Sequence, residues 1–289
     1  MKKSKLTKLI TVGLSAIMIF TLASCGGGDS SEGEDITVIS REEGSGTRDA
    51  FTELTGVLED DVDRTVDTAE ISNSTSVVIQ SVAGNTAAIG YISLGSLDDT
   101  VKAVTVDGVE ATVDNVKSGD YALQRPFNIV TNGEVSELAQ DFINYIMSSD
   151  GQAVIEEEGY ISVNEDAEPY SGSGMSGTVT LAGSTSVSPV MEVLADRYNE
   201  INPDAVIEIQ QTGSGAGIQS TIEGACDIGM ASRALEDEEA SQGLESQEIA
   251  LDGIAVIVNN ENSVENLTTE QIMQIFIGEI TNWADVAAE

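Results

Sequence analysis

Ile36-Thr-Val-Ile-Ser-Arg-Glu-Glu-Gly-Ser-Gly-Thr-Arg-Asp-Ala-Phe-Thr-Glu-Leu54 carries a strand, a turn and a helix in one short stretch. Ile36 to Ile39 is a β-branched run suited to a strand. Gly44 to Thr47 is a turn of small hydroxylic residues, and Arg48 to Leu54 places Ala50, Phe51 and Leu54 on one helical face. The same grammar returns in Gly183-Ser-Thr-Ser186 and in Gly213-Ser-Gly-Ala-Gly217. Strands alternating with helices along the whole chain point to an α/β fold.

Working outward, the spacing predicts helices over 76–82, 189–199, 217–223 and 268–275, and one or two over 134–158. Val190, Leu194 and Tyr198 share one face of the 189–199 helix, and Thr268 or Thr269 opens the last one with Glu270 in its first turn. Strands are predicted over 87–92, 101–106 (turned by Asp107-Gly108), 127–131, 178–182, 205–210, 227–231 and 249–259. Residues 165–177, rich in Ser, Gly and acids, interrupt this rhythm and read as a flexible linker.

The three hydroxylic turns share a physical content. The first turn of a helix has unpaired N–H groups and a partial positive charge. Glycine admits an oxyanion close to those groups, and Ser and Thr add donors without bulk. Arg41 stands just ahead of the first turn, and its planar fork can hold an oxyanion bidentately. Any one of these turns is equally an ordinary N-cap or loop. Three of them beside an arginine in a very acidic chain point to an anion site.

Composition narrows the function. The 289 residues contain no histidine, which removes the common general base, the Ser-His-Asp triad and every histidine metal site. No Gly-x-x-x-x-Gly-Lys phosphate loop is present. The expectation is therefore a binding protein, not an enzyme, with no cofactor and no metal. Lys2, Lys3, Lys5 and Lys8 precede an apolar run from Leu9 to Leu22, too short for a comfortable membrane span. Leu22-Ala-Ser-Cys25 resembles a bacterial lipobox, which implies a signal peptide over 1–25 and lipidation at Cys25. Residues 26–35 follow as a small, polar tether. Beyond position 25 the chain carries a net charge of about −42, which repels nucleic acid and anionic headgroups. Long-range attraction cannot help such a protein bind an anion, so its site must win locally with dense donors. Cys226 lies in an apolar context and reads as a buried structural thiol without a disulfide partner in the mature chain.

Several segments carry a resemblance to a known family. Ala182-Gly-Ser-Thr-Ser-Val-Ser-Pro-Val190, Thr212-Gly-Ser-Gly-Ala-Gly-Ile218, Asp227-Ile-Gly-Met-Ala-Ser-Arg233 and Ile249-Ala-Leu-Asp-Gly-Ile-Ala-Val256 are four of them. Ile280-Thr-Asn-Trp283, Ala88-Ile-Gly-Tyr91, Arg125-Pro-Phe127, the Ser149-Asp-Gly-Gln152 helix and, most specifically, Ser40-Arg-Glu-Glu-Gly-Ser-Gly-Thr-Arg48 are the others. Together they resemble the phosphate-binding proteins of phosphate ABC transporters over nearly the whole mature chain. The resemblance implies a type II periplasmic-binding-protein fold, two α/β lobes closing on inorganic phosphate, and ABC permease subunits as partners. It also implies a position on the extracellular face of the cell membrane. Carried over by motif, the phosphate ligands are Arg41, Ser45, Gly46, Thr47, Thr185, Ser186 and Ser214, with Ser232 lining the cleft. Some members have Asp directly after the Ala-Ser pair, accepting the proton of hydrogen phosphate; this chain has Arg233. Asp252 is the candidate replacement, with Glu42 and Glu43 next; the alternative is that Asp252 is a structural partner of Arg233.

The order of the segments departs from the family. There the Gly-Ser-Thr-Ser segment lies near the mature N-terminus, and the Arg-x-x-Gly-Ser-Gly-Thr segment follows the Thr-Asn-Trp segment. Here Arg41 comes first and Trp283 last, as in a circular permutation with 165–177 joining the usual ends. A gene fragment or a piece of a tandem duplication gives the same order, and each contains every site segment once. The layout implies a split lobe of 36–125 plus 253–289 and a continuous lobe of 126–252. The competing functions are a surface phosphate sensor or adhesion module without transport, a binder of another oxyanion, and an enzyme acting on phosphate esters.

Overall fold

The computed structural model describes residues 34–60 and 62–286; the leader and Cys25 lie outside the described residues, as does Glu289. In chain order the principal strands are β1 (Thr37–Arg41), β2 (Glu70–Ser72), β3 (Ala88–Ser93), β4 (Gln124–Asn132), β5 (Gly177–Gly183), β6 (Ala205–Gln211), β7 (Ile228–Ala231) and β8 (Leu244–Asn259). The principal helices are α1 (Gly46–Thr55), α2 (Thr75–Ala83), α3 (Glu137–Ile146), α4 (Ser149–Glu157), α5 (Ser188–Ile201), α6 (Ser214–Ile222) and α7 (Thr269–Phe276).

The strands follow the order β6-β5-β7-β4-β8-β3-β1-β2. β8 is long enough to serve two lobes. Its first part pairs antiparallel with β4, from Leu244 opposite Asn132 to Gly253 opposite Gln124. Its second part pairs antiparallel with β3, from Ile254 opposite Ser93 to Val258 opposite Ile89. Parallel pairing joins β5 to β6 and β7 in one lobe, and β1 to β2 and β3 in the other.

Each lobe has its own apolar core. One gathers Phe127, Phe142, Tyr145, Leu194, Tyr198 and Met230. The other gathers Phe51, Tyr91, Ile254, Val256 and Phe276, with the Phe51 and Tyr91 rings stacked at 3.9 Å. The sequence pattern explains the helices that supply these residues. Val190, Leu194 and Tyr198 of α5 are all fully buried on one face, and Pro189 sits at its start, where a missing N–H costs nothing. Thr268 caps α7 in a reciprocal pair with Gln271.

Two expectations change, and one open choice is decided. The 101–106 run is two short strands: Val101–Ala103 pairs with β8, and Thr105–Val106 pairs with Asn266–Leu267. Two separate sheets claim the two ends of the run. The 134–158 region is two helices, because Ser148 caps α4 and Gly151 packs on the Tyr145 and Ile146 carbonyls, where a Cβ would not fit. The 165–177 segment, expected to be flexible, is held down. The Tyr170 and Ser173 hydroxyls each donate to Asp141 Oδ2 at 2.6 Å, the Tyr170 N–H donates to Asp150, and the Gly174 N–H donates to Asn202. Tyr170 also packs edge-on against Tyr145. One aromatic residue thus anchors an otherwise polar run.

The two ends of the described chain meet. Asp35 pairs with Asn282, the Ile36 N–H donates to Thr281 O, and the Trp283 N–H donates to Glu34 O. No helix among the described residues is long and apolar enough to cross a membrane.

Candidate anion-binding site

β1, β5 and β6 each end in a turn that opens a helix, and the three turns converge between the lobes. Ser45 caps α1 by accepting from the Arg48 N–H, which leaves the Gly46 and Thr47 N–H groups without an acceptor among the described residues. Ser184 Oγ accepts from the Ser186 and Val187 N–H groups ahead of α5, and the Thr185 N–H has no acceptor there. At the start of α6 the Ser214 and Ala216 N–H groups are likewise unpaired among the described residues. The Gly215 N–H between them donates to Gly44 O at 3.0 Å, stitching the two lobes together. Gly44 and Gly213 have φ of 79° and 92°, the left-handed region that glycine enters freely.

The side chains interlock across the same junction. Thr47 Oγ1 and Ser186 Oγ are 2.8 Å apart, and Arg41 Nη2 donates to Thr185 Oγ1 at 3.0 Å. Ser184 donates to Ser232 at 2.9 Å, and Ser232 lies 3.3 Å from Ser214. A Cβ on Gly46 would come within 2.6 Å of Ser214 Oγ and 2.8 Å of Ser232 Oγ, so only glycine lets these segments approach. Arg41 is 2 % exposed. Its Nε and Nη2 both donate at 2.9 Å to the Glu42 carboxylate, which offsets the buried charge. The structure thus brings together Arg41, Ser45, Gly46, Thr47, Thr185, Ser186, Ser214 and Ser232, all buried or packed at helix starts. Unpaired N–H groups, hydroxyls and a guanidinium converging on one point can hold a tetrahedral oxyanion.

Asp252 is not bonded into this cluster. Its Oδ2 accepts from Arg125 Nε at 3.1 Å and Nη2 at 3.0 Å, and its Oδ1 accepts from Ser93 Oγ at 2.8 Å. Burial pushes its carboxyl up, and the Arg125 guanidinium pulls it back. Asp252 and Arg125 face each other on β8 and β4, in a register that a linear reading does not reveal. The alternative pairing with Arg233 is also corrected. Arg233 Nε donates to Asp49 at 2.9 Å, and its Nη1 and Nη2 donate to Glu239 at 2.7 and 2.8 Å. Glu42 faces Arg41, and Cys226 is buried, with its thiol pushed up by burial.

Sequence reasoning missed Thr75. Its Oγ1 lies 3.3 Å from Ser186 Oγ and 3.5 Å from Arg41 Nη1. The signal was present: Ser72-Asn-Ser-Thr75 is a fourth strand-to-helix turn of hydroxylic residues.

Comparison with known proteins adds an independent view. A family model described as a PBP superfamily domain matches residues 14–150 and 168–289. The chain is 48 % identical over 295 residues to phosphate-binding protein PstS 2 of Streptococcus agalactiae serotype V, covering 99 % of this chain and 100 % of that one. The crystal structure of a phosphate ABC transporter, phosphate-binding protein from Streptococcus pneumoniae TIGR4 matches with a TM-score of 0.71 and 47 % identity, over 88 % of this chain and 100 % of that one. Phosphate-binding protein PstS of Bacillus subtilis matches only in part, 33 % identical over 116 residues, 39 % of each chain.

Proposed function

The chain belongs to the PBP superfamily and, within it, to the family of the PstS 2 phosphate-binding proteins, and on that premise we propose that it captures inorganic phosphate between its lobes for an ABC permease. The observation that carries this reading is the convergence of Arg41 and the hydroxylic turns of α1, α5 and α6, drawn from both lobes. In such a protein, binding and closure are one event: the ligand favours the state in which both halves of its donor set are assembled. The reading includes lipid anchoring at Cys25 on the extracellular face of the membrane, and it assigns no catalytic role to the site.

The reading also includes the permuted order, with 36–125 and 253–289 forming one lobe and 126–252 the other. The neighbouring ends at Asp35 and Asn282 support it, because permutation requires new ends that meet. The partial match to the Bacillus subtilis protein supports it as well. A comparison that follows chain order can align only one stretch of two permuted sequences.

The test is calorimetric titration of the mature domain with phosphate, sulfate and arsenate in metal-free buffer. Phosphate should bind, and Arg41→Ala should weaken binding by at least about tenfold, because a charge-assisted hydrogen bond contributes roughly 1.5–3 kcal/mol. An unchanged dissociation constant in a folded Arg41→Ala variant refutes the site.

A further inference from the structure

Thr75 opens α2, a helix capped by Ser74, and its own N–H and that of Ser76 have no acceptor among the described residues. Its side chain is 4 % exposed, so bulk water does not complete its hydrogen bonding. The Oγ1 atom lies 3.3 Å from Ser186 Oγ and 3.5 Å from both Thr185 Oγ1 and Arg41 Nη1. The two hydroxyl contacts are well beyond the usual O–H···O length of about 2.7–2.8 Å, and the Arg41 contact is beyond the usual N–H···O length of about 2.9–3.0 Å. The hydroxyl is therefore surrounded by polar neighbours and firmly bonded to none.

Arg41 shows the same shortage at one atom. Nε and Nη2 each donate to Glu42 at 2.9 Å, and Nη2 also reaches Thr185. Nη1 carries two N–H bonds and, among the described residues, makes only the 3.5 Å contact with Thr75. A buried guanidinium nitrogen and a buried hydroxyl, both short of partners, face each other at a point bordered by two more hydroxyls. We propose that Thr75 is a direct ligand of the bound phosphate, sharing one anion oxygen with Arg41 Nη1. The start of α2 is then a fourth anion-facing turn, and this lobe contributes donors from two helices, α1 and α2. The proposal rests on the phosphate reading of the site and adds a residue to it.

The experiment is phosphate titration of the wild-type domain and of Thr75→Val and Thr75→Ser, with thermal unfolding of each unliganded protein. Thr75→Val keeps the shape and removes the hydroxyl; it should bind about tenfold more weakly, equivalent to 1.4 kcal/mol. Thr75→Ser should bind within about twofold of wild type, and unliganded stability should stay nearly constant across the set, since the hydroxyl holds no short bond to lose. Thr75→Ala serves as the second probe if valine packs poorly. Repeating Thr75→Val in an Arg41→Lys background separates direct contact from orientation of Arg41. A direct ligand costs a similar factor there, and a residue acting only through the guanidinium costs nothing more. Wild-type-like affinity in both Thr75→Val and Thr75→Ala overturns the proposal and leaves the phosphate reading standing. A wild-type protein that ignores phosphate overturns both.

Discussion

Arg233 and Asp49 join the two lobes at the edge of the site, and replacing Asp49 with Asn tests whether that junction helps hold the cleft shut. Asp49 lies in the first turns of α1, in the lobe of β1, and Arg233 follows β7 in the other lobe. Nε donates to Asp49 Oδ2 at 2.9 Å, while Nη1 and Nη2, along another edge of the guanidinium, both donate to Glu239. The bond across the lobes exists only when they are together, so its free energy enters the closing equilibrium directly. Asp49 is 35 % exposed and Arg233 10 %, which places the pair between two reference cases. Exposed ion pairs contribute about 0.2–1 kcal/mol, and hydrogen bonds to charged groups about 1.5–3 kcal/mol. A value of about 1 kcal/mol corresponds to roughly fivefold in affinity. Glu239 remains in the variant, so Arg233 is not left as an uncompensated charge. Calorimetric titration with phosphate at low salt should show the variant about fivefold weaker than wild type. At 1 M salt, where the screening length is about 3 Å, the difference should shrink, by less than for a fully exposed pair. Equal affinities at low salt, or a deficit that persists undiminished at 1 M, refute the argument.

Other outcomes follow from the remaining clusters. Asp252→Asn should destabilise the fold by about 3–5 kcal/mol, because it strips the buried Arg125 of its partner, while the ratio of phosphate to sulfate affinity stays unchanged; denaturant unfolding and competition titration check the two halves. Burial works to raise the Asp141 carboxyl, but the Ser173, Tyr170 and Tyr198 hydroxyls outweigh it and hold the group below the ordinary aspartate range. Its contribution is therefore present above the unfolded aspartate value of about 3.9 and is lost as pH falls through the lower folded value. Asp141→Asn should remove that part of the pH dependence of thermal unfolding and speed proteolysis within 165–177. Light scattering coupled to size exclusion should give a monomer with and without phosphate, because the two ends of the described chain pair within one molecule; an obligate dimer would mean exchange of the 253–289 segment.

The parts of the site that could be read in advance are local ones. Gly44 to Thr47, Gly183 to Ser186 and Gly213 to Gly217 announce themselves because capping and glycine conformations are decided within four or five residues. The same holds for α5, whose buried face recurs at helical spacing. What escaped reading depends on register or on the meeting of distant segments. Asp252 finds Arg125 because β4 and β8 align those two positions, and a shift of one residue would send either side chain to the opposite face. Arg233 finds Asp49 only through closure of the lobes. Thr75 was legible in kind, since its turn has the grammar of the other three and the helix after it was expected, but its nearness to Arg41 and Ser186 comes from segments far apart in the chain.

The proposed permutation leaves the donor set whole, and the reason lies in the sheet. Every group that points at the site sits at the end of a strand or the start of the helix after it, so each strand–turn–helix unit carries its own donors. Changing where the chain begins cuts between such units and leaves each one intact. The cost falls elsewhere. β8 must pair with β4 in one lobe and β3 in the other, and α7 joins Phe51 and Tyr91 from far earlier in the chain. Contacts of such long sequence separation form late, because loop closure must precede any gain from them. Arg41 and Thr47 meet Thr185 and Ser186 across equally distant segments, so the site assembles only after both lobes have folded. Phosphate added during refolding should therefore leave the rate of lobe formation unchanged and raise the yield of the closed protein. Stopped-flow refolding with and without phosphate distinguishes this from a ligand that nucleates folding, which would accelerate the main phase.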